Sequence, residues 1–309
     1  MLIPQTAVAW EYPTNRLLQR LPLGKYSSFC IIMWGLVLAL FAACYNFSGA
    51  VAVRFFLGVF EASVTPGFAL FTSQWYTKYE QGSRTAIWFS FNGWAQIFGG
   101  LVAYGFATGS AKGHFTIAPW KAFFVFTGCL TICMGLLFWW IVPDNQLNAR
   151  WLSKKDRLLA VERVRVNQQG IGNKTFKAYQ FKEALLDPLT WAFFFFALIV
   201  DIPNGGLTNF FSLIIVGFGF TPTQSLLYGT PGGAVEVVTL LLFAVTADRF
   251  KNRMIVGVIG MGVALLGSIL LVALPVANSH GRLAGYYLTQ ASPLGFVALL
   301  SLISTNVAG

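Results

Sequence analysis

Eight long apolar segments constrain this chain more than any other feature of its sequence. Each is about 20 residues long, the length that an α-helix needs to cross the hydrocarbon core of a bilayer. The segments lie at 27–46, 50–74, 85–107, 119–142, 189–216, 223–247, 254–275 and 283–308. Only 10% of the 309 residues are charged, whereas soluble proteins carry about 25%. Since a backbone inside lipid must satisfy its own hydrogen bonds, the sequence predicts an all-α, polytopic transmembrane helical bundle.

Both ends of the chain lack the pattern of a complete span. Residues 1–18 contain Glu11 and Pro13 and resemble the end of a span. The last apolar segment stops at Gly309 without a polar tail. We therefore expect an incomplete chain, either a piece of a longer native protein or a nonfunctional truncation.

Basic residues collect in alternate loops between the predicted spans. Seventeen of the 21 Lys and Arg residues fall on one side if the loop with Arg16, Arg20 and Lys25 is cytoplasmic. The opposite side has three, Lys112, Lys121 and Arg282. The positive-inside rule then predicts cytoplasmic basic loops in a multi-pass protein. Basic loops that face anionic lipid account for the formal charge of +10 without a nucleic-acid partner.

The polar segment at 143–188 divides the predicted spans into two groups. It is rich in charges of both signs, and its residues from Ser153 to Val166 fit an amphipathic surface helix. We predict an N-terminal bundle at 1–142, a cytoplasmic linker at 143–188 and a partial C-terminal bundle at 189–309.

Two loops share a short motif. One contains Gln19 and Arg20, and the other contains Asp248, Arg249 and Arg253. Both resemble the Gly-x-Leu-x-Asp-Arg-x-Gly-x-Arg signature of the major facilitator superfamily, which occurs once in each six-helix half. The resemblance implies that these residues clamp neighbouring helices on the cytoplasmic side. Gln19 replaces the carboxylate of the first copy, which removes its charge pairing.

Longer stretches give a more specific resemblance. The segments 10–15, 54–67, 73–76, 84–93, 202–206 and 286–289 are similar to the fungal allantoate permease branch of the anion:cation symporters. The similarity covers about residues 10–309 and implies a major facilitator fold with about nine of twelve helices, from late in the second to the tenth. It also implies a monomeric plasma-membrane transporter that moves a small organic anion, such as allantoate, nicotinate or pantothenate, together with protons and without a cofactor.

Four ionisable residues fall inside the predicted spans: Arg54, Glu61, Asp201 and Glu236. Each costs roughly 2.5–3.5 kcal/mol in lipid unless it pairs or lines a wet cavity. Arg54 and Glu61 are two helical turns apart and share one face. Either they form structural ion pairs, or Arg54 binds the anion and Glu61 carries a proton. The three acids fall near the midplane, where such transporters bind substrate and ion.

Three polar residues extend this set of candidates. Asn204 follows Asp201 and Pro203 in the segment 201–206, which should kink or unwind its helix and expose backbone groups. Asn92 and Gln96 are four residues apart, so both either bind substrate or join helices by hydrogen bonds. The glycines near them, Gly93, Gly99, Gly100 and Gly105, are typical of close helix packing.

The sequence lacks the residues that a metal site or an ATP-binding loop requires. The four Cys lie in predicted spans and the two His, His114 and His280, lie in loops, so we expect no metal site. The chain has no phosphate-binding Gly-Lys-Ser/Thr loop, which argues against an ATP-driven pump. We predict a secondary transporter rather than an enzyme. The alternative is a nutrient receptor that binds without transporting.

Overall fold

The computed structural model describes residues 2–113, 117–167, 177–250 and 253–306. Within these ranges it is helical and contains no strand. The α-helices, in chain order, are α1 Leu2–Arg20, α2 Leu23–Leu40, α3 Phe47–Glu61, α4 Val64–Trp75, α5 Lys78–Phe89, α6 Phe91–Ala111, α7 Pro119–Ile141, α8 Lys154–Val164, α9 Ala178–Leu186, α10 Pro188–Gly217, α11 Pro222–Tyr228, α12 Thr230–Phe250, α13 Arg253–Ala273, α14 Ser279–Thr289 and α15 Pro293–Asn306.

Seven stretches of the described chain are helical, long and apolar enough to cross a membrane. They are Leu23–Ala43, Phe47–Trp75, Pro119–Ile141, Pro188–Gly217, Pro222–Thr246, Arg253–Ala273 and Ser279–Ile303. The predicted span at 85–107 is not among them. Its helix is divided at Ser90, and the 21-residue α6 includes Asn92, Gln96 and several glycines, which lower its hydropathy.

Three of these spans consist of two helices joined by a short break. The breaks lie at residues 62–63, at Gly229 and at residues 290–292. A proline stands within the first three residues of the helix that follows each break, where a missing N–H costs little. At the second break, Pro231 cannot donate to the Leu227 carbonyl, which instead accepts a hydrogen bond from Thr230 Oγ1 at 2.8 Å.

The helix that was expected to break does not. The sequence predicts a kink or unwinding at 201–206, but α10 continues for 30 residues through Pro203. Unlike the prolines after the three breaks, Pro203 lies in the middle of a long helix, which tolerates the loss of one backbone hydrogen bond. The expectation of unwound backbone beside Asp201 was wrong, and the kink stays a prediction.

Contacts between Cα atoms divide the chain into two compact units. Unit 1 comprises 1–77 and 109–175, and unit 2 comprises 78–108 and 176–309. The division predicted at 143–188 stays a prediction. The contacts assign α5 and most of α6, up to Thr108, to unit 2 because their partners are helices of the later part of the chain.

Unit 1 is built around the pair α2 and α7. The two helices touch through glycines, since a Cβ added to Gly35 would lie 2.8 Å from the Gly128 carbonyl oxygen. Gly135 meets Ile32 on the next turns. Helices α1 and α3 pack beside this pair.

Unit 2 has its apolar core where α5, α12 and α15 meet. Ala86, Leu240, Phe243 and Val297 are fully buried there. A second cluster joins α10, α11 and α14 around Ile215, Phe218, Leu283 and Tyr286. Two of these helices, α10 and α14, also carry polar groups described below.

Candidate functional site

Helices α6 and α12 approach each other through bare backbone. A Cβ added to Gly93 would lie 2.5 Å from the carbonyl oxygen of Gly233. Likewise, a Cβ added to Gly233 would lie 2.5 Å from the carbonyl oxygen of Gly93. The Cβ added to Gly93 would also lie 3.2 Å from Cβ of Glu236. The glycine contact therefore brings the polar side chains of α6 against the start of α12.

Gln96 lies one turn after Gly93 and joins three helical segments. Its Nε2 donates to the carbonyl oxygen of Gly229 at 3.0 Å and to the hydroxyl oxygen of Tyr286 at 3.2 Å. Gly229 forms the break between α11 and α12, so a carbonyl at a helix break is held by a side chain. Tyr286 belongs to α14 and is fully buried.

A second tyrosine contacts the same break. The hydroxyl of Tyr287 donates to the carbonyl oxygen of Tyr228 at 2.9 Å. Gly232, in the first turn of α12, leaves room for Gln96, Tyr286 and Gln290, each within 3.3 Å of its hypothetical Cβ. Gln290 begins the break between α14 and α15, so two interrupted spans meet at this place. Discontinuous helices that present backbone and side-chain polar groups are typical of transporter binding sites.

Glu236 lies one turn beyond Gly232 in α12. Only 6% of its surface is exposed. In the described part of the chain no cation pairs with its carboxylate and no side chain donates a hydrogen bond to it. A buried carboxylate without a counter-ion is costly, which makes it a candidate for protonation or for binding a cation.

The site residues predicted on α10 and α6 differ in their exposure and contacts. Asn204 accepts a hydrogen bond from Ser292 Oγ at 3.4 Å, which links α10 to the break before α15. Asp201, one turn earlier, is exposed. Asn92 is also exposed, whereas Gln96, four residues later, is half-buried. The structure therefore brings together Gln96, Glu236 and, at the neighbouring break, Asn204.

Unit 1 carries the other predicted pair on α3. The Arg54 guanidinium carbon lies 5.0 Å from the centre of the Phe41 ring, a cation–π contact. Glu61 is the last residue of α3, directly before the break at residues 62–63. Among the described residues neither forms an ion pair.

The two loop motifs are also built differently. Gln19 accepts a hydrogen bond from Arg16 Nη1 at 2.6 Å, and Arg20 ends α1. In the second motif, Arg253 donates to Ser301 Oγ at 2.6 Å and to the carbonyl oxygens of Lys78 and Tyr79 at 3.1 and 2.7 Å. It thereby links the start of α13 to the start of α5 and to α15.

The other two residues of the second motif are Asp248 and Arg249. Arg249 is exposed, and the side chain of Asp248 lies outside the described residues.

The sequence of this chain matches the profile of the Major Facilitator Superfamily over residues 6–308. The chain belongs to the major facilitator superfamily. With its seven candidate spans, it is an integral multi-pass membrane protein.

Curated fungal transporters resemble it along nearly its whole length. An uncharacterized transporter of Schizosaccharomyces pombe is 40% identical over 303 residues, which are 98% of this chain and 58% of that protein. The allantoate permease of Saccharomyces cerevisiae is 37% identical and matches 93% of this chain and 54% of that protein. The thiamine pathway transporter THI73 of the same yeast is 32% identical and matches 95% of this chain and 56% of that protein. The resemblance to the allantoate permease branch is confirmed, and the chain spans a little over half the length of these relatives.

Solved structures support the same fold. The xylose transporter XylE from E. coli, in a partially occluded inward-open conformation, superposes with a TM-score of 0.59 over 97% of this chain and 72% of that one. The sequence identity is 14%. The likeness therefore shows the major facilitator fold alone.

Sequence reasoning did not select Tyr286, Tyr287 or Gln290 as site residues. In the sequence, Tyr286 and Tyr287 carry only the family resemblance. Tyrosines in a span also fit lipid-facing or interfacial positions. The usable signal was the proline after each break. Pro231 and Pro293 each mark a place where backbone carbonyls need other donors, and these residues lie there.

Proposed function

We propose that this superfamily member is a secondary active transporter of a small organic anion, driven by proton symport. The observation that carries the proposal is Glu236, a buried carboxylate beside two interrupted spans that has no counter-ion among the described residues. A neutral, protonated Glu236 avoids the cost of a buried charge, so loading and release of a proton can accompany transport.

The polar groups around the breaks of unit 2 suit a small polar substrate. Gln96 and Tyr286 hold donors and acceptors next to the carbonyl oxygen of Gly229. A substrate that competes for these bonds can exchange its hydration shell for fixed polar groups. In unit 1, considered by itself, Arg54 offers a planar guanidinium that suits a carboxylate, and we propose it as an anion-binding residue of that unit.

The relatives support the substrate class. The 37% identical protein is named for allantoate, a carboxylate. We therefore propose a carboxylate substrate of similar size, with nicotinate and pantothenate as the other compounds to examine. We place the protein in the plasma membrane, where uptake of such nutrients occurs.

The test is uptake by the full-length protein in proteoliposomes with an inward proton gradient. We expect saturable accumulation of one labelled carboxylate from a panel of allantoate, nicotinate and pantothenate, abolished by a protonophore. Binding without saturable uptake would instead show a receptor. Neither binding nor uptake of any carboxylate would overturn the proposal.

Glu236→Gln isolates the coupling step, because glutamine keeps the shape but cannot titrate. Gradient-driven accumulation should fall at least tenfold, while exchange of labelled for unlabelled substrate persists. Glu162→Gln is the control. Glu162 lies on α8 and forms an exposed ion pair with Arg165, which lies in the 3₁₀ turn directly after α8. Glu61→Gln in the same assay separates the two candidate carriers. If Glu236→Gln accumulates substrate normally and Glu61→Gln does not, Glu61 is the proton carrier and Glu236 is not.

A further inference from the structure

A groove of about 920 Å³ lies in unit 1 and is lined by none of the residues assigned above. It is formed where α2 begins, where α7 ends and where the following segment, residues 142–151, turns back. Since α2 and α7 are spans, the groove lies at the end of two spans, at the boundary between lipid and water.

The charges in the groove are unbalanced. Its lining has two cations, Lys25 and Arg150, and one carboxylate, Asp144. Oδ1 of Asp144 accepts a hydrogen bond from the backbone N–H of Lys25 at 3.1 Å, so this acid serves the first turn of α2. Within the described ranges, neither Lys25 nor Arg150 has an ion-pair partner. Both side chains are exposed and available to an anion.

The approach of the two segments is fixed by a glycine. A Cβ added to Gly24 would lie 3.0 Å from the Val142 carbonyl oxygen and 3.1 Å from Oδ1 of Asp144. Gly24 thus allows the chain after α7 to lie directly on the start of α2. This contact brings Arg150 to the same groove as Lys25.

The other wall of the groove is aromatic and apolar. Trp139, Trp140 and Ile141 form the end of α7 and are exposed. Trp151 stacks on Trp75 of α4, with ring centres 5.7 Å apart and planes 18° from parallel. Tryptophans at the end of a span suit the headgroup region of a bilayer, where one side of the ring is apolar and the other is wet.

We propose that this groove binds an anionic phospholipid of the leaflet on the side of the basic loops. Lys25 and Arg150 hold the phosphate and the acidic headgroup, and the exposed end of α7 lies along an acyl chain. A soluble phosphate satisfies the two cations but leaves the aromatic wall exposed, so the combination of both surfaces favours a lipid. None of the residues that line the groove is assigned to substrate binding or proton transfer above.

The test is native mass spectrometry of the purified, delipidated full-length protein titrated with phosphatidylserine or phosphatidylcholine. We expect phosphatidylserine to bind more tightly. Each basic residue near an anionic headgroup contributes about a fivefold gain in affinity, so Lys25→Gln with Arg150→Gln should weaken binding about 25-fold. Lys25→Arg with Arg150→Lys keeps both charges and should retain most of the affinity.

Lys154→Gln with Lys155→Gln is the matched control, since both lysines are exposed on α8 and do not line the groove. The affinity of this control variant for phosphatidylserine should change less than twofold. A photoreactive phosphatidylserine should label the peptide 139–151, and glycerophosphoserine, which lacks acyl chains, should not compete. Equal affinity for both lipids, equal loss in both double variants, or labelling confined to other peptides would overturn the proposal. Full competition by glycerophosphoserine would show a site for a soluble phosphate and would also overturn it.

Discussion

The hydroxyl of Tyr286 serves both as a buried polar group and as a link between helices. It accepts the hydrogen bond from Gln96 at 3.2 Å, and no part of the side chain is exposed. Tyr286→Phe removes the acceptor while keeping the ring, and Gln96 keeps its bond to Gly229. Hydrogen bonds between membrane helices average about 0.6 kcal/mol, so the free energy of unfolding should fall by about that amount.

Thermal unfolding in detergent measures this change, and substrate affinity should fall at the same time if the hydroxyl binds substrate. Tyr179→Phe is the control because Tyr179 is 63% exposed on α9. An unchanged substrate affinity in Tyr286→Phe would restrict Tyr286 to a structural role.

Arg54 gives a second prediction at the scale of one residue. Arg54→Lys keeps the charge but loses the planar group that binds a carboxylate through two hydrogen bonds. Loss of one charged hydrogen bond costs about 1.5 kcal/mol, so the KM for substrate should rise about tenfold. Arg282→Lys is a matched control, since Arg282 also lies 5.0 Å from a phenylalanine ring, that of Phe218. An equal change in both variants would show that Arg54 acts through packing.

The sequence predicted that acids and amides within the spans form the site, but not which of these residues come together. Asp201 and Glu236 are both acids within apolar segments, and hydropathy treats them alike. Their difference arises from tertiary packing, because Glu236 lies at the contact of two glycines from distant helices and Asp201 does not. Contacts between helices that are distant in sequence leave no periodic signal in either helix.

At the scale of helices, the contact between α6 and α12 depends on the absence of side chains. Gly93→Ala would place Cβ 2.5 Å from a backbone oxygen, which cannot rotate away. The helices must separate, and overpacking of this kind costs about 1–3 kcal/mol. Gly105→Ala, on the same helix, is the control because nothing lies within 4 Å of its Cβ among the described residues. Detergent-solubilised yield and melting temperature should fall for Gly93→Ala alone.

The same comparison refines the glycine pattern seen in the sequence. Close packing was predicted for the glycines of α6, and it occurs at Gly93 and at Gly100, whose Cβ would lie 2.8 Å from Thr230. Within the described ranges it does not occur at Gly105. The pattern thus identifies a helix that packs closely, but it does not show how far along the helix the contact extends.

Helix breaks show why proline alone was an ambiguous signal. Pro66, Pro231 and Pro293 begin new helices, whereas Pro203 continues an existing one. In the second break the Thr230 hydroxyl replaces the missing donor, and in the third the Ser292 N–H bonds the Thr289 carbonyl at 3.0 Å. Glycines follow Pro231 at a break and also follow Pro203 in a continuous helix, so glycine after a proline does not distinguish the two cases.

For the whole molecule, composition and span length were sufficient to predict the class of fold. The membrane solvent requires helices, and the family match confirms a major facilitator fold. The assignment of 78–108 to unit 2 was not predicted, because sequence order places these residues among the earlier spans. Their packing rests on contacts such as Arg253 with the first carbonyls of α5, which join residues 174–175 positions apart.

The orientation of the chain in the membrane remains a prediction and can be measured directly. With 17 basic residues on one side and three on the other, the positive-inside rule places Lys155 in the cytoplasm and Lys112 outside. In a full-length variant without its cysteines, Lys112→Cys should react with a membrane-impermeant maleimide in intact cells, and Lys155→Cys should react only after permeabilisation. Asn173 begins the sequon Asn-Lys-Thr on the cytoplasmic side, outside the described residues, and should therefore carry no glycan. Labelling of Lys155→Cys in intact cells, or a glycan on Asn173, would reverse the topology and place the lipid groove in the outer leaflet, where anionic lipids are scarce.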